Sequence, residues 1–400
     1  MPRLYSTLPS VENPKNIAWI NLDNLKNNYR KLAACSPDKR HICVIKADGY
    51  GHGANECAKA LLSVGCDFFA VSSIEEATSL RLFLRTITSE ENEPDILILG
   101  FTPVEYAARL SELNIIQAGI SFGYCLELAE AAKLAGACVN VHIKLDTGMN
   151  RVGFVSHSDK DADITARDIL EISRLKNLNI TGMFSHFAKS DEDETGCDFN
   201  HTERQYARYM AVKSRLDDAG FDIGFCHICN SAGNVMYPEF QLDGVRLGIM
   251  LYGYNPIENK EFSLEPVMEL QSLISHIHTM KAGEELGYGG TYIADSERRI
   301  ATIPIGYADG FFRMYKGSTV QIKTRSGNYL ARLVGRVCMD QCMADVTDIP
   351  DAEPLDRVSM FGYEAGTLET IAKSSGFLEY EIVCGVSARV ERRYISGDEE

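Results

Sequence analysis

The feature that most constrains this chain is an alternation of short apolar runs with helix-like segments, from residue 17 to about residue 250. Between the runs, segments such as 54–65 and 202–220 carry apolar residues at helical spacing. Such alternation predicts a parallel sheet. About eight strands within about 230 residues favour a closed (β/α)8 barrel, a TIM-like α/β fold, over an open sheet. The predicted strands are residues 17–21, 41–45, 68–72, 96–100, 115–121, 139–145, 180–186 and 224–229.

The pattern changes after about residue 255. From residue 267 onward, strand-like runs follow one another and are separated by Gly, Ser, Asn and Asp. The polar stretch 252–262 contains a proline and is typical of a linker. We therefore predict a barrel over residues 1–255 and a mostly β C-terminal domain over residues 256–400. Within the second domain, one short helix is predicted at 367–376, followed by a strand-rich end.

Composition excludes several classes of partner. The 400-residue chain has a formal net charge of −16, which argues against a nucleic-acid-binding surface and against anionic membranes. No apolar run approaches the length that crosses a bilayer. The first fifteen residues contain no continuous apolar segment, so a cleaved secretory signal is not expected. With twelve cysteines read as mostly buried thiols, we predict a reducing, cytoplasmic setting.

Cys226 and Cys229 form a CxxC pattern, for which a redox pair or half of a zinc site are the functional interpretations. No second CxxC completes a zinc site, and the neighbouring residues alternate as in a strand. We interpret the two cysteines as small residues of a strand.

Lys46 is the first candidate for chemistry, because it ends an apolar strand and is followed by a turn rich in glycine. In a (β/α)8 barrel, function lies at the C-terminal ends of the strands. A lysine amine in a pocket there would form a Schiff base with a carbonyl group, whereas a lone lysine would simply extend toward solvent. Four more polar or glycine-rich segments are predicted on the same rim: 144–154, 185–192, 229–234 and 245–254.

The segment "VIKADGYGHG" (44–53) closely resembles the pyridoxal-phosphate attachment segment of alanine racemases. Further segments match that family in the same order, across roughly residues 17–392. They are "KLDTGMNRVGF", "SHFAKSD", "NSAG", "VRLGIMLYG", "GYGGTY", "IPIGYADGF" and "GRVCMDQ". Taken singly, the polar residues of these segments have ordinary structural explanations, and only their joint occurrence in order favours the family. The resemblance implies a pyridoxal 5'-phosphate barrel followed by a β domain.

The resemblance also implies catalytic roles. Lys46 would hold the cofactor covalently and then act as a base on one face of the substrate Cα. Tyr288 of the partner subunit would be the acid/base on the opposite face, in a homodimer with shared active sites. His186 and Arg246 match the hydrogen-bonded chain behind that tyrosine. Arg246 would face the pyridine nitrogen and leave it unprotonated. This weakens the ring as an electron sink and favours proton transfer over decarboxylation or transamination.

Binding roles follow from the same resemblance. The cofactor phosphate would rest on neutral donors, namely the hydroxyls of Tyr50 and Ser231 and the backbone amides of Gly248 and Ile249. A second set of residues would bind the substrate or orient the residues that do so. They are Arg151 for the carboxylate, Lys144 as a candidate for carbamylation beside it, Met339 and Asp340 from the partner subunit, and Tyr307 at the entrance.

One position departs from the family pattern. Many members carry a tyrosine just before "RVPR", whereas this chain has Ala388 there and Glu391 in place of the proline. The missing tyrosine removes one phosphate hydrogen bond and leaves space near the substrate side chain. Serine is therefore predicted as a second substrate, because an apolar pocket discriminates poorly against one small added group.

Four other functions compete with an alanine racemase. A barrel-type pyridoxal-phosphate decarboxylase shares the architecture, but its cysteine-centred partner-subunit motif is replaced here by "GRVCMDQ". A non-catalytic pyridoxal-phosphate carrier would need only the barrel, and the β domain of about 140 residues argues against it. A racemase for larger amino acids, or one that prefers serine, belongs to the same family.

Overall fold

The computed structural model describes residues 14–192, 200–257, 262–363 and 367–397. The chain divides into two compact units. We call residues 25–49 and 54–264 the barrel unit, and residues 14–24, 50–53 and those from 265 onward the β unit. The strands are numbered β1 to β20 along the chain, beginning with β1 (Ile17–Asn21) in the β unit.

The barrel unit contains eight parallel strands among its described residues, in the order β5-β4-β3-β2-β10-β9-β8-β6. A further pairing of β5 with β6 closes the sheet into a barrel, as predicted. The strands are β2 (Arg40–Val44), β3 (Phe68–Val71), β4 (Asp95–Ile98), β5 (Ile115–Gly119), β6 (Val139–Asp146), β8 (Leu178–Phe184), β9 (Phe225–His227) and β10 (Gly244–Leu247), with the short β7 (Phe154–Val155) beside β6.

Helices follow most of these strands and cover the barrel. Strands β3 and β5 are buried along their whole length, which explains why β3 is entirely apolar and why Gln117 is the one polar residue of β5. Ser73, Ser121 and Ser158 each begin a helix by accepting a backbone N–H with the side-chain oxygen. The helices are Leu22–Ala33, Ala54–Leu62, Ile74–Ile87, Ala107–Glu112, Phe122–Leu134, Asp159–Ile172, His201–Asp218 and Ser231–Met236.

The β unit is built on a nine-stranded sheet in the order β12-β15-β18-β17-β16-β19-β11-β1-β20. Its pairs are antiparallel except for β1 with β20, which run parallel. Helix Thr367–Ser375 lies where it was predicted, but a second helix, Glu379–Gly385, precedes the last strand. The strands are β11 (Met268–Leu273), β12 (His276–Met280), β15 (Arg298–Ile303), β16 (Thr319–Thr324), β17 (Gly327–Val334), β18 (Cys342–Asp345), β19 (Arg357–Phe361) and β20 (Glu391–Ile395), with a separate pair β13 (Glu285–Leu286) and β14 (Tyr292–Ile293).

Strand β1 corrects one prediction. Residues 17–21 were expected to open the barrel, but β1 pairs with β11 and β20 in the sheet of the β unit. The eighth barrel strand is instead β10, which the sequence pattern indicates only as part of a rim segment. An apolar run indicates burial but does not show which sheet buries it. The sequence alone therefore assigned β1 to the barrel and left β10 out.

Two smaller findings bear on function. Cys226 lies on β9 and Cys229 just beyond it; both are buried and in no disulfide. Among the residues that the structure describes, no helix combines the length and apolar character needed to span a membrane.

Candidate active site

The predicted residues of the barrel unit lie at or just after strand ends on one rim. Lys46 comes two residues after β2, His186 two residues after β8, and Gly248 directly after β10. Lys144 lies in the last three residues of β6, and Ser231 opens the helix that follows β9. Because all these strands are parallel members of one closed barrel, their C-terminal ends meet at the same rim.

The turn after Lys46 has an unusual backbone. Ala47, Asp48, Gly49, Tyr50 and Gly51 all have positive φ, between 52° and 83°. They therefore form a left-handed helical turn, although three of the five are not glycine. Each residue with a Cβ loses about 1–2 kcal/mol in this conformation. The sequence indicated a turn here but not its handedness.

Arg246 organises the centre of the site. Its side chain is buried, and its Nη1 donates to His227 Nδ1 at 2.8 Å and to the His227 carbonyl at 3.3 Å. Its Nη2 faces His186 Nδ1 at 3.0 Å and the carbonyls of Ser185 and Ile228 at 2.6 and 2.9 Å. Within the described part of the chain, no acceptor is bonded to its Nε–H, so this donor is available to a ligand.

These contacts fix the protonation of two histidines. A guanidinium only donates, so both Nδ1 atoms must accept, and a neutral ring then carries its proton on Nε2. Burial first, and then the charge of Arg246, holds the pKa of His186 and of His227 well below the ordinary value. Burial lowers the pKa of Arg246 only to about 10, so the guanidinium stays charged at neutral pH. Both imidazoles are therefore neutral Nε2–H donors.

Two members of this network, His227 and His142, were not predicted. His227 Nε2–H donates a hydrogen bond to His142 Nδ1 at 3.1 Å. The two come from β9 and β6, which β8 separates, so their side chains meet inside the barrel. Burial first, with a further contribution from the charge of Arg40, lowers the pKa of His142 to about 3. The chain of contacts runs from His142 through His227 and Arg246 to His186.

A carboxylate on β6 shapes the loop that carries Arg151. Asp146 accepts the amides of Gly148, Asn150 and Arg151, each at 3.0 Å. Asn150 adopts a positive φ of 56° within this loop. The Arg151 side chain itself is exposed at the rim. Asp146 was not predicted, although its place in the matched segment is a signal for it.

Lys144 is buried on the same strand. Burial first, and then the positive charges of Arg246 and Arg151, lowers the pKa of its amine to about 7. Its Nζ donates to the carbonyl of Leu145 at 3.0 Å. A substantial fraction of this amine is therefore neutral, and nucleophilic, at physiological pH.

Ser231, Gly248 and Ile249 form a group of neutral donors. The Ser231 hydroxyl is 5% exposed and accepts the Gly248 amide at 2.7 Å, so its own proton is available to an anion. Hydroxyl and backbone donors of this kind hold phosphates without a compensating charge. Together with a strand-end lysine amine and the Nε–H of Arg246, they fit a cofactor that carries an aldehyde, a ring nitrogen and a phosphate.

The remaining predicted residues belong to the β unit. Burial first, and then Cys384 and Tyr380 nearby, raises the pKa of the Tyr50 phenol, which therefore remains a donor. The other four predicted residues of this unit, Tyr288, Tyr307, Met339 and Asp340, are exposed, and Tyr288 is the most exposed of them at 71%.

The exposed Ala388 neighbours a predicted substrate-binding residue through Arg389. Arg389 Nη2 donates to Asp340 at 3.0 Å, which ties the segment around Ala388 to the segment of Met339. Arg392 holds the same segment from the other side by donating to the carbonyls of Val386 and Val390 at 2.7 and 2.8 Å.

Comparisons with known proteins agree across both units. The family described as "Alanine racemase, N-terminal domain" matches residues 20–256, and "Alanine racemase, C-terminal domain" matches residues 267–394. An alanine racemase of Clostridium tetani is 39% identical over 386 residues, which cover 94% of this chain and 95% of the relative. "Alanine racemase 1" of Clostridium acetobutylicum is 37% identical, with 96% of each chain covered.

Solved structures give the same result. Alanine racemase of Clostridium difficile 630 superposes with a TM-score of 0.87 at 36% identity and covers 97% of this chain and 98% of its own. The enzyme of Streptomyces coelicolor superposes with a TM-score of 0.85 at 28% identity, over 95% and 98% of the two chains. The matched regions include every rim segment described above, and the chain belongs to the alanine racemase family.

Proposed function

We propose that this chain is a pyridoxal 5'-phosphate-dependent isomerase that interconverts L- and D-alanine by a two-base mechanism, and so supplies D-alanine for biosynthesis. The observation that carries the proposal is the arrangement around Arg246. A buried, charged guanidinium orders two neutral histidines and keeps its Nε–H for a ligand. This suits a ring nitrogen that must accept a hydrogen bond without gaining a proton.

The bound cofactor supplies acidity to the substrate Cα–H bond. Because Arg246 does not give up its proton at neutral pH, it would leave a ring nitrogen held against it unprotonated, and the bound group would then withdraw charge from the substrate only weakly. Proton removal must then be closely followed by proton return, which favours racemisation over decarboxylation. Lys46, at the rim end of β2, takes or returns the proton on one face.

The second base is Tyr288 of the partner subunit. Its ring is exposed on its own chain, as expected for a side chain that works in a neighbouring site. His186 carries its proton on Nε2, because Nδ1 accepts from Arg246. That Nε2–H is the donor that stabilises the tyrosine oxygen when it has lost its proton.

Arg151 binds the substrate carboxylate, and the Asp146-anchored loop positions it. Met339 of the partner subunit adds a backbone N–H, its neighbour Asp340 completes the pocket, and Tyr307 narrows the entrance. Lys144 reacts through its neutral amine with CO2: an N–C bond forms, one N–H proton leaves to solvent, and an anionic carbamate results. The same cations that lower the pKa of the amine, Arg246 and Arg151, stabilise that anion.

The direct test is chiral separation of products after cofactor-loaded protein is incubated with L-alanine. We expect D-alanine, and we expect Lys46→Ala to lose both activity and the visible absorbance of attached cofactor. Tyr288→Phe should lose racemisation while it keeps that absorbance. Tyr106→Phe, a change at another exposed tyrosine that is 43% exposed, is the matched control and should be fully active.

Mixing the two inactive variants tests whether the site is shared. In a dimer of one Lys46→Ala chain and one Tyr288→Phe chain, one site lacks both bases, whereas the other has both. Activity should therefore reappear after subunits exchange, which copurification of differently tagged chains verifies. Exchanged subunits that stay inactive would refute a tyrosine supplied by the partner.

Serine is proposed as a second substrate, on the evidence of Ala388. This small residue lies next to Arg389, which is bound to Asp340 of the predicted substrate pocket. Ala388→Tyr should lower the rate of D-serine formation relative to D-alanine by about 10- to 200-fold, the effect of about 1–3 kcal/mol in a pocket. An unchanged ratio would exclude Ala388 as the determinant. Release of CO2 without any D-product would instead favour the decarboxylase.

A further inference from the structure

The left-handed turn after Lys46 requires support from outside the turn. Its non-glycine residues, including Ala47 and Asp48, adopt a conformation that L-residues avoid. Such a backbone persists only where surrounding contacts hold it. One support lies within the segment, because the Gly49 amide donates to the Ile45 carbonyl at 2.9 Å. That bond does not hold the peptide group between Lys46 and Ala47, whose amide needs a different acceptor.

Glu76 supplies the missing contact. Its Oε1 accepts the Ala47 amide at 2.8 Å, and its Oε2 accepts the Ser72 amide at 2.8 Å. Ala47 follows the end of β2, and Ser72 follows the end of β3. One carboxylate thus joins two neighbouring strand ends through charge-assisted hydrogen bonds. Glu76 is itself fixed in the first turn of helix Ile74–Ile87, where its amide donates to Ser73 Oγ at 3.3 Å.

We propose that Glu76 is a positioning residue for Lys46, one that holds the left-handed turn so that the lysine amine stays directed toward the cofactor. The bonded amide belongs to the peptide link between Lys46 and Ala47, so its orientation sets the direction in which the Lys46 side chain leaves the backbone. If this bond is lost, the turn is released toward ordinary backbone angles and the amine leaves its reactive position. The proposal rests on the proposed function, because it assigns that role to Lys46.

A second contact anchors the far end of the turn and shows why Glu76 is specific to the lysine. Asp48 Oδ1 accepts the Ala54 amide at 3.0 Å, which fixes the exit of the turn onto the next helix. Glu76 acts at the entrance of the turn instead, because its carboxylate accepts the amide of Ala47, the residue that directly follows Lys46. Glu75, one position earlier, has an exposed side chain, the same charge and a place in the same first helix turn, so it provides a matched control.

The experiment uses full-length cofactor-free protein and adds pyridoxal 5'-phosphate. Covalent attachment at Lys46 is trapped by borohydride reduction at timed intervals and measured by mass spectrometry. Glu76→Ala should slow attachment at least about tenfold, and Glu76→Gln, which keeps an acceptor oxygen but loses the charge, by less. Glu75→Gln should match the wild type. Hydrogen exchange should accelerate at the amides of Ala47 and Ser72 in the Glu76 variants alone.

Steady-state kinetics give an independent readout. A displaced amine lowers kcat for alanine in both directions, while KM changes little, because Arg151 and its loop are untouched. Wild-type attachment rate and kcat in Glu76→Gln and Glu76→Ala, despite faster exchange at Ala47, would overturn the proposal. Equal losses in Glu75→Gln would overturn it as well. If the wild type attaches no cofactor, the proposed function fails first, and a hydrogen-exchange difference then remains as purely structural.

Discussion

Lys144 offers the sharpest test of how burial acts inside the barrel. The side chain is 4% exposed, and burial with the nearby charges of Arg246 and Arg151 lowers its pKa from 10.5 to about 7. Because one pKa unit corresponds to about 1.4 kcal/mol, the folded chain disfavours the ammonium form by ~5 kcal/mol relative to the unfolded chain. Below about pH 7 the amine is protonated in the folded chain, and this free-energy difference then reduces the stability of the fold in full.

The sign of the pH dependence follows. Between about pH 7 and the unfolded value near 10.4, the unfolded chain holds a proton that the folded chain has released, so stability rises with pH. Lys144→Met removes the ammonium group and keeps a similar length. We expect the variant to be more stable than wild type by about 2–4 kcal/mol at pH 6.5, with the difference shrinking toward pH 10. Bicarbonate should also reduce the difference near pH 8, because a carbamate that forms only on the folded wild-type chain would stabilise that chain, as any ligand specific to the folded state does.

The assay is urea unfolding followed by circular dichroism, in CO2-depleted buffer at pH 6.5, 8 and 9.5 and again with bicarbonate. Lys133→Met is the control, since that side chain is 66% exposed and pairs with Glu130, an exposed residue three positions away. It should change stability by less than about 0.5 kcal/mol at every pH. A Lys144→Met variant that is less stable at pH 6.5, or whose advantage does not depend on pH, would refute the reasoning.

Three further predictions concern the scaffold. Asp146→Ala removes the acceptor of three loop amides and should raise KM for alanine far more than it lowers kcat, with cofactor absorbance unchanged; an equal fall in kcat would contradict this. Arg81→Met removes a fully buried guanidinium that donates to three carbonyls at 2.7–2.9 Å, and urea unfolding should show a loss of about 3 kcal/mol, whereas an unchanged midpoint would argue against it. Gly182→Ala would place a Cβ against the Phe225 carbonyl and 2.7 Å from His142 Nε2, so unfolding should show a loss of about 1–3 kcal/mol. Gly123→Ala adds a Cβ that meets nothing within 4 Å and should be neutral or stabilising; similar losses in both variants would remove packing as the cause.

The fold was largely readable because burial on both faces leaves a continuous apolar sequence. Strand β3 is an example, and β5 differs from it only by the buried Gln117; both were predicted within a few residues. The same signal misassigned β1, whose apolar residues are buried in the sheet of the β unit. It also passed over β10, which is only four residues long and merges with a glycine-containing turn. A run of apolar residues indicates burial, whereas the strand with which it pairs depends on contacts between residues that lie far apart in the sequence.

The support for Lys46 could not be read from the sequence for a different reason. Left-handed backbone is ordinarily marked by glycine, yet Ala47 and Asp48 adopt it here. Glu76, which holds that backbone, stands in the first turn of a helix, where an acidic residue is already explained by the helix dipole. Its contact with the Ala47 amide spans 29 residues, so no local pattern distinguishes it from Glu75.

The histidine network shows where a signal did exist. His142 and Lys144 alternate with apolar residues along β6, so a period of two places these two polar side chains on one face. A barrel filled only by apolar layers would not place two titratable groups there, and the alternation therefore marks a polar centre rather than a packing layer. The sequence could not show the direction of each hydrogen bond, that is, which nitrogen donates and which accepts. That direction is set by Arg246, because a donor that never accepts obliges both His186 and His227 to accept at Nδ1. The direction of every hydrogen bond in this network thus depends on one guanidinium that stays protonated at neutral pH. The Nε2–H of His186, which we propose faces the tyrosine of the partner subunit, therefore remains a donor across the range in which an isolated histidine would titrate.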